Sequence, residues 1–399
     1  MANLPRRATI LIVGVFLCAG LAASAEVRAE DNPPRASRAE LDAAGEEGSG
    51  DEAPAPSDDT EARPGDGRDL TWFAFPGAGY SPETSALFTL GALVEWRLPG
   101  ARLSDVPPSL FTVFGTYTLN RQWLVASDAA LVSHEDRHRW KLSVMGGSWR
   151  REYFGVGPHR PTTRLERFDR RFLQAGVEWA GALLRSRLYA GLRATVDVSA
   201  IGALSGGALE ADAPLGLEGG AALGAGPVLF WDSRDDPLFP HQGIFARASL
   251  LGHPTLVGRY GFWAGRLDAR VFTSRRRHVW ASRLLLDVQS PGAPFYMLSD
   301  LGDGDGLRGL TEGRDLGRFR YVGVSEYRTP TRWRLGGVLF AGAGDARGGS
   351  TGHGGSRAAW SAGGGLRFRL LEDSSLNLRF DAGFARDDRG VYVSVGEAF

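Results

Sequence analysis

The feature that most constrains this chain is a period of two that recurs through most of its length. From Leu376 to Phe384 the apolar residues Leu376, Leu378, Phe380, Ala382 and Phe384 alternate with Asn377, Arg379, Asp381 and Gly383. A strand sends successive side chains to opposite faces, so this segment has one apolar face and one charged face. From Gly261 to Phe272, Trp263, Leu267, Ala269 and Val271 oppose Arg266, Asp268 and Arg270. From Trp280 to Val288, Trp280, Leu284, Leu286 and Val288 oppose Arg283 and Asp287, and from Trp360 to Leu370 the alternation sets Leu366, Phe368 and Leu370 against Arg367 and Arg369. Two architectures fit, a soluble sandwich with wet outer faces and a membrane barrel with a polar lumen. Strands of soluble domains usually run about five or six residues. Several here reach ten to fourteen, and a tilted strand needs about 9–11 to cross a bilayer. After the N-terminal leader no apolar run reaches the roughly 18 residues of a spanning helix. A bilayer admits no open sheet edge, so the expected fold is all-β, an antiparallel transmembrane β-barrel.

Sixteen strands are expected, near 71–80, 86–98, 109–119, 122–132, 138–147, 170–181, 184–198, 218–231, 243–252, 259–272, 278–290, 317–329, 332–344, 358–370, 374–386 and 390–398. An even number places both chain ends on one side, the periplasmic one. Connections on that side should be tight, as Thr329-Pro330-Thr331 and Leu371 to Ser374 are. Outward connections should be longer, as Ser148 to Asp169, Ala200 to Leu217, Ser299 to Leu310 and Asp345 to Arg357 are. Pro99 to Pro108 is longer than this rule allows.

The N-terminus differs from the rest. Arg6 and Arg7 precede the apolar run Ala8 to Ala22 and then Ala23-Ser24-Ala25, the parts of a secretory signal peptide over 1–25. Cys18, the one cysteine, lies in that run without the small residues of a lipoprotein box, so the processed chain is expected to hold no thiol. Residues 26–69 carry 14 acidic and 5 basic residues, a net of −9, with no aromatic side chain. Such a stretch buries too little apolar surface to order itself, and it reads as a disordered acidic linker. The barrel domain is then 70–399, and with the whole chain at +0 there is no sign of a nucleic-acid partner.

Three stretches stand out as candidate functional elements. Ser299 to Leu310 is a polar, glycine-laden loop in which Arg308 stands between Leu307 and Gly309. An arginine inside a barrel needs a carboxylate or carbonyl partner. Glu326 shares a face with Arg318, Arg320 and Arg328 by parity and is the expected partner. Asp232 to Pro240 with Gly243 is a proline-stiffened turn containing Arg234, Asp235, Asp236 and Pro237. The last segment runs through Val391, Val393 and Val395 to Phe399 on one face, the pattern of an outer-membrane barrel assembly signal.

These residues resemble the outer-membrane assembly and secretion superfamily that includes BamA, TamA and the two-partner secretion transporters, also called bacterial surface antigen proteins. The match is carried by Tyr80-Ser-Pro-Glu-Thr84 with Gly91-Ala92, by Tyr153-Phe-Gly-Val-Gly-Pro158 and by the turn from Asp232 to Pro240 with Gly243. It is carried also by Gly306-Leu307-Arg308-Gly309-Leu310 followed by Glu326-Tyr-Arg328. The resemblance implies a sixteen-stranded barrel whose arginine-glycine loop folds inward between strands eleven and twelve. It implies outer-membrane lipids and the cell's barrel assembly machinery as partners, and a periplasmic or secreted protein client. Two departures stand out. Gly342, in Phe340-Ala-Gly-Ala-Gly344, occupies the place of an aspartate that usually meets the loop arginine, and residues 26–69 cannot form the family's periplasmic POTRA domains.

Chemistry is not expected. His134 and His138 are spaced as H-x-x-x-H on a turn, Asp300, Asp303 and Asp305 lack a calcium loop's terminal glutamate, and no serine sits in a G-x-S-x-G elbow. The reading is a non-enzymatic barrel without cofactor or metal that assists protein or lipid insertion or translocation. A passive pore and a secretion pore for a separately encoded passenger are the alternatives.

Overall fold

The computed structural model describes residues 70–399 except 82–84, 97–105, 134–135, 157–165, 185–186, 204–205, 237–238, 303, 349–357, 370–376 and 387. The leader and the acidic stretch, and most of the connection from Pro99 to Pro108, lie outside the described residues. Strands come in the order β1 (Leu70–Ser81), β2 (Ser85–Trp96), β3 (Ser109–Thr118), β4 (Trp123–Val132), β5 (His138–Tyr153), β6 (Glu166–Ala182), β7 (Leu188–Gly202) and β8 (Gly220–Asp232). They continue with β9 (Gly243–His253), β10 (Phe262–Arg275), β11 (His278–Gln289), β12 (Ser299–Asp300), β13 (Leu316–Gly317), β14 (Phe319–Arg328), β15 (Leu335–Arg347), β16 (Ala359–Arg369), β17 (Asn377–Ala385) and β18 (Asp388–Val395). Each pairs antiparallel with its sequence neighbour in one 16-stranded sheet, from which only the two-residue strands β12 and β13 stand apart, paired with each other. β11 and β14 are therefore the eleventh and twelfth strands of the sheet.

The sheet is inside out relative to a soluble protein. Along β11, Trp280 and Leu284 are exposed while Val279, Ala281, Arg283, Leu285 and Asp287 are buried. On β14 the buried set is Arg320, Val322, Glu326 and Arg328. Apolar side chains of 40–65% exposure, such as Trp280 and Leu339, thus cover the outside, while Glu326 at 0% and Asp381 at 1% face inward. Water would penalise such an arrangement on one side and lipid would favour it. The exposed tryptophans cluster near strand ends. Trp123, Trp263 and Trp360 stand at the long-loop end, and Trp72, Trp140, Trp179, Trp231 and Trp280 at the turn end. Trp280 pairs in register with Thr273, ten residues along β10 from Trp263. That spacing is about 33 Å of strand, or about 25 Å of height at a tilt of about 40°, the thickness of a barrel's apolar band.

Two hairpin strands outrun the expected lengths, because β5 extends to Tyr153 and β6 begins at Glu166. Charged residues that read as a loop are cross-strand partners in that extension. Arg150 lies opposite Asp169 and Glu152 opposite Arg167, with salt bridges of 2.9 and 3.4 Å. The hairpin thus continues past the apolar band as a polar ladder. Between β7 and β8 a short helix, α1 (Ala208–Asp212), packs Leu209 against Tyr153, Phe168, Tyr260, Phe295 and Tyr296. This aromatic cluster fills the long-loop end, and Tyr153 donates a 2.8 Å hydrogen bond to Asp212. At the other end Tyr189 stacks on Phe230 at 4.7 Å beneath Arg139.

The last strand departs from its expected course. β18 stops at Val395, and Gly396, at φ +87°, turns the chain inward. Phe399 consequently does not continue an outward apolar row. Its ring lies 6.5 Å from that of the buried Phe272.

Candidate functional site

Between β11 and β14 the chain folds back against the charged face of the sheet. It leaves Gln289, makes a single 3-10 turn at Phe295–Met297 within the aromatic cluster, and forms a stem in which Ser299 pairs with Gly317 and Asp300 with Leu316. Residues 301–315 form the loop proper. Leu301, Leu307 and Leu310, each at most 1% exposed, pack on Leu285, Val322, Ala346 and Ala385. Each buried leucine contributes on the order of 2 kcal/mol, so an apolar knot, not charge alone, seats the loop. Gly306 is half-buried beside it. Gly309, at φ +105°, meets Gly383 of β17 backbone to backbone. A Cβ on Gly309 would stand 2.9 Å from the Gly383 carbonyl carbon, and one on Gly383 would stand 2.7 Å from the Arg308 oxygen. Only glycine on both sides permits that approach.

The approach aims Arg308. Its guanidinium donates one nitrogen to Glu326 and the other to Asp381 at 2.5 Å, and its centre lies 3.5 Å from the centroid of the Phe340 ring. Glu326 belongs to β14, Phe340 to β15 and Asp381 to β17, so one side chain bridges three strands. Glu326 is eighth of the ten residues of β14 counted from the loop end, about 23 Å along the strand at 3.3 Å per residue. The loop therefore reaches most of the depth of the sheet. The acids have other partners too: Arg328 binds Glu326 at 3.1 Å, and Arg367 and Arg379 bind Asp381 at 2.6 and 3.5 Å.

Secondary charges tether the loop all round. Asp305 pairs with Arg266 of β10 and with Arg283 of β11, the latter at 3.1 Å. Burial works against its carboxyl, but the two arginines hold it well below the usual carboxylate range. Glu312 reaches Arg151 of β5 at 2.5 Å. The Thr311 amide donates to Asp388 of β18 at 2.8 Å, and the Gly309 amide donates to the Tyr392 hydroxyl at 2.6 Å. Contacts with β5, β10, β11, β17 and β18 from one loop mean that the sheet curls around it. Asp300, at the stem, accepts the amide protons of Gly302 at 3.1 Å and of Gly313. Burial, with the Glu312 charge nearby, pushes its carboxyl up to about 6 against those two hydrogen bonds.

The structure thus places Arg308 on Glu326, and beside it on two groups that sequence reasoning missed. At Gly342 an added Cβ would meet Leu307 at 2.9 Å and the Gly323 oxygen at 2.8 Å, so the usual aspartate position is filled by loop leucine. Asp381 supplies the second carboxylate from two strands further on. The available signal was its charged-face parity between Arg379 and Gly383, which marked a lumen residue but not its partner.

The turn from Asp232 is held by its own charges and by one arginine of β5. Arg234 forks onto Asp232 at 2.9 and 3.0 Å, Arg139 adds a third bond at 3.0 Å, and Asp235 accepts from the amides of Asp236, His241 and Gln242 at 2.9 to 3.1 Å. Asp236 accepts from the Phe239 amide at 3.2 Å and Pro240 is buried. At Gly243, φ is +111° and a Cβ would meet the Ser233 oxygen at 2.3 Å. Pro237, His134 and Asp303 lie outside the described residues, as do the side chains of Val393 and Val395, whose backbones pair with Phe380 and Leu378. Among the described residues no group of three or more His, Cys, Asp or Glu could hold a metal ion, and no helix is long and apolar enough to cross a membrane.

No family model and no curated protein sequence matches the chain. Solved structures do. BamA from Haemophilus ducreyi lacking POTRA domains 1-3 superposes with a TM-score of 0.51 at 12% identity, over 79% of this chain and 66% of that one. CdiB from Escherichia coli superposes with a TM-score of 0.54 at 12% identity, over 82% of this chain and 62% of that one. The chain spans less than two thirds of either. At this identity the likeness is one of fold alone: the chain shares the large antiparallel sheet architecture of BamA and CdiB.

Proposed function

We propose that β18 meets β1 to close a sixteen-stranded barrel in the outer membrane. In this reading the barrel assists the insertion of a protein, or of lipid, into that membrane, or its passage across. An apolar outside bounded by two tryptophan belts favours lipid, and a polar inside with paired charges favours a lumen. The observation that carries the functional part is Arg308 seated on Glu326 and Asp381. A loop held that deeply by reversible ion pairs is a plug that can be released, which a passive pore does not need.

The test is reconstitution into liposomes, with an unfolded outer-membrane barrel protein offered as client and its folding followed by protease resistance. The proposal expects faster client folding than in empty liposomes, and a changed rate with Arg308→Ala. Client folding at the empty-liposome rate, together with steady ion conductance through the wild-type protein, would instead establish a plain pore.

A further inference from the structure

The inward turn of the C-terminal residues has a direct consequence for the loop. Gly396 donates its amide to the Asn377 oxygen at 2.8 Å as the chain leaves β18. Glu397 then enters the interior with a side chain only 2% exposed. It pairs with Arg367 at 2.9 Å and with Arg328 at 3.7 Å, and Asn377 donates to it at 3.2 Å. Phe399 follows, its terminal main-chain oxygen accepting from Arg328 at 3.1 Å and its ring 5.7 Å from the Arg328 guanidinium.

These pairs join those of the loop into one cycle. Arg308 binds Glu326, Glu326 binds Arg328, Arg328 binds Glu397, Glu397 binds Arg367, Arg367 binds Asp381, and Asp381 binds Arg308. The carboxylates of β14 and β17 are therefore shared between the loop arginine and the two arginines that Glu397 occupies. With Glu397 in place, three side-chain carboxylates, Glu326, Asp381 and Glu397, face Arg308, Arg328, Arg367 and Arg379. Without it, Arg328 and Arg367 turn fully onto Glu326 and Asp381 and compete with Arg308 for them. Charges this close and this buried are not independent of one another.

We infer that Glu397 is a positioning residue for the arginine loop, and that residues 396–399 form a latch whose withdrawal from the lumen releases Arg308. The inference rests on the releasable plug of the preceding section and names what controls it. Gly396 is the hinge. Its φ of +87° lies where β-branched residues are strongly disfavoured, and a Cβ there would meet nothing within 4 Å. Gly396→Val therefore displaces the tail by backbone preference alone, without a clash and without touching a charge.

Hydrogen exchange of the purified full chain in lipid nanodiscs reads the coupling directly. With Glu397→Gln and separately with Gly396→Val, amides of residues 300–316 should exchange about tenfold faster or more, while β10 and β11 keep their protection. Glu397→Asp, which retains the charge, should fall between wild type and Gln and guards against a variant that simply fails to fold. Faster exchange confined to residues 366–369, 377–379 and the tail, with the loop unchanged, would overturn the latch. Client insertion is scored separately, so a barrel with no insertion activity whose loop still answers to Glu397 would count against the function and in favour of the latch.

Discussion

Replacing Arg308 with alanine is the perturbation whose size the geometry best defines. The side chain makes two charge-assisted hydrogen bonds, worth about 1.5–3 kcal/mol each, and one stacking contact with Phe340, worth about 0.5–2 kcal/mol. Breaking a buried ion pair by removing one partner usually costs about 3–5 kcal/mol, because a charge is left stranded. Here Glu326 keeps Arg328, and Asp381 keeps Arg367 and Arg379, so the stranding penalty is small. Leu301, Leu307 and Leu310 stay buried as well. Contacts of one side chain do not simply add, and removing the arginine also relieves its own desolvation cost. The expected loss in loop seating is therefore about 2–4 kcal/mol, which at 1.4 kcal/mol per decade is roughly a 30- to 1,000-fold shift toward the released loop. Single-channel recording in planar bilayers should show a wild type that is closed almost all the time and an Arg308→Ala protein with frequent openings. Arg308→Lys should lie between them, since an ammonium keeps the charge but cannot fork onto two carboxylates. Identical opening statistics in wild type and Arg308→Ala would refute the reasoning and show that the leucine knot and the glycine contact hold the loop alone.

Other outcomes follow from the same contacts. Gly383→Ala places a methyl 2.7 Å from the Arg308 oxygen and should release the loop, read as loss of protection in residues 300–316 by hydrogen exchange. Gly342→Asp restores the carboxylate that the family resemblance leads one to expect, yet its Cβ would stand 2.9 Å from Leu307. The exchange assay should show a looser loop in this variant, not a tighter one. Asp300 has a folded-state value raised to about 6, above the roughly 3.9 of an unfolded chain. Its contribution to loop stability is fully present below about pH 4 and is lost as pH rises through about 6. Loop protection, corrected for intrinsic exchange rates, should fall across that range in wild type and change less in Asp300→Asn.

The long, strictly alternating strands were the most legible part of the molecule. In β10, β11, β16 and β17 one face is apolar and the other carries the charged residues among a few apolar ones, and that alternation identifies the strands and assigns their faces. The position of the loop between the eleventh and twelfth strands was legible for the same reason. What could not be read were features set by pairing across the sheet. Arg150, Glu152, Arg167 and Asp169 look like loop residues until they are set opposite one another. Asp381 looks like one rung of a lumen ladder until Gly342, filled by Leu307, leaves the arginine to find it. The tail looked like a continuous apolar strand to Phe399. A single glycine at positive φ is enough to turn it, and glycine in so glycine-rich a chain announces no particular conformation.

The account depends most on the apolar face of the sheet meeting lipid while the charged face lines an enclosed interior. With the one cysteine, Cys18, in the expected leader, single cysteines can be introduced at positions 279 to 288 of β11 and spin-labelled in the bilayer-reconstituted protein. Collision rates with oxygen and with a water-soluble nickel complex should alternate residue by residue. Even positions, those of Trp280, Leu284 and Val288, should be oxygen-accessible and lipid-facing, and odd positions, those of Ala281, Arg283 and Leu285, should be shielded from oxygen. Uniform accessibility along the strand, or nickel contact at the even positions, would contradict the membrane barrel and everything inferred from it.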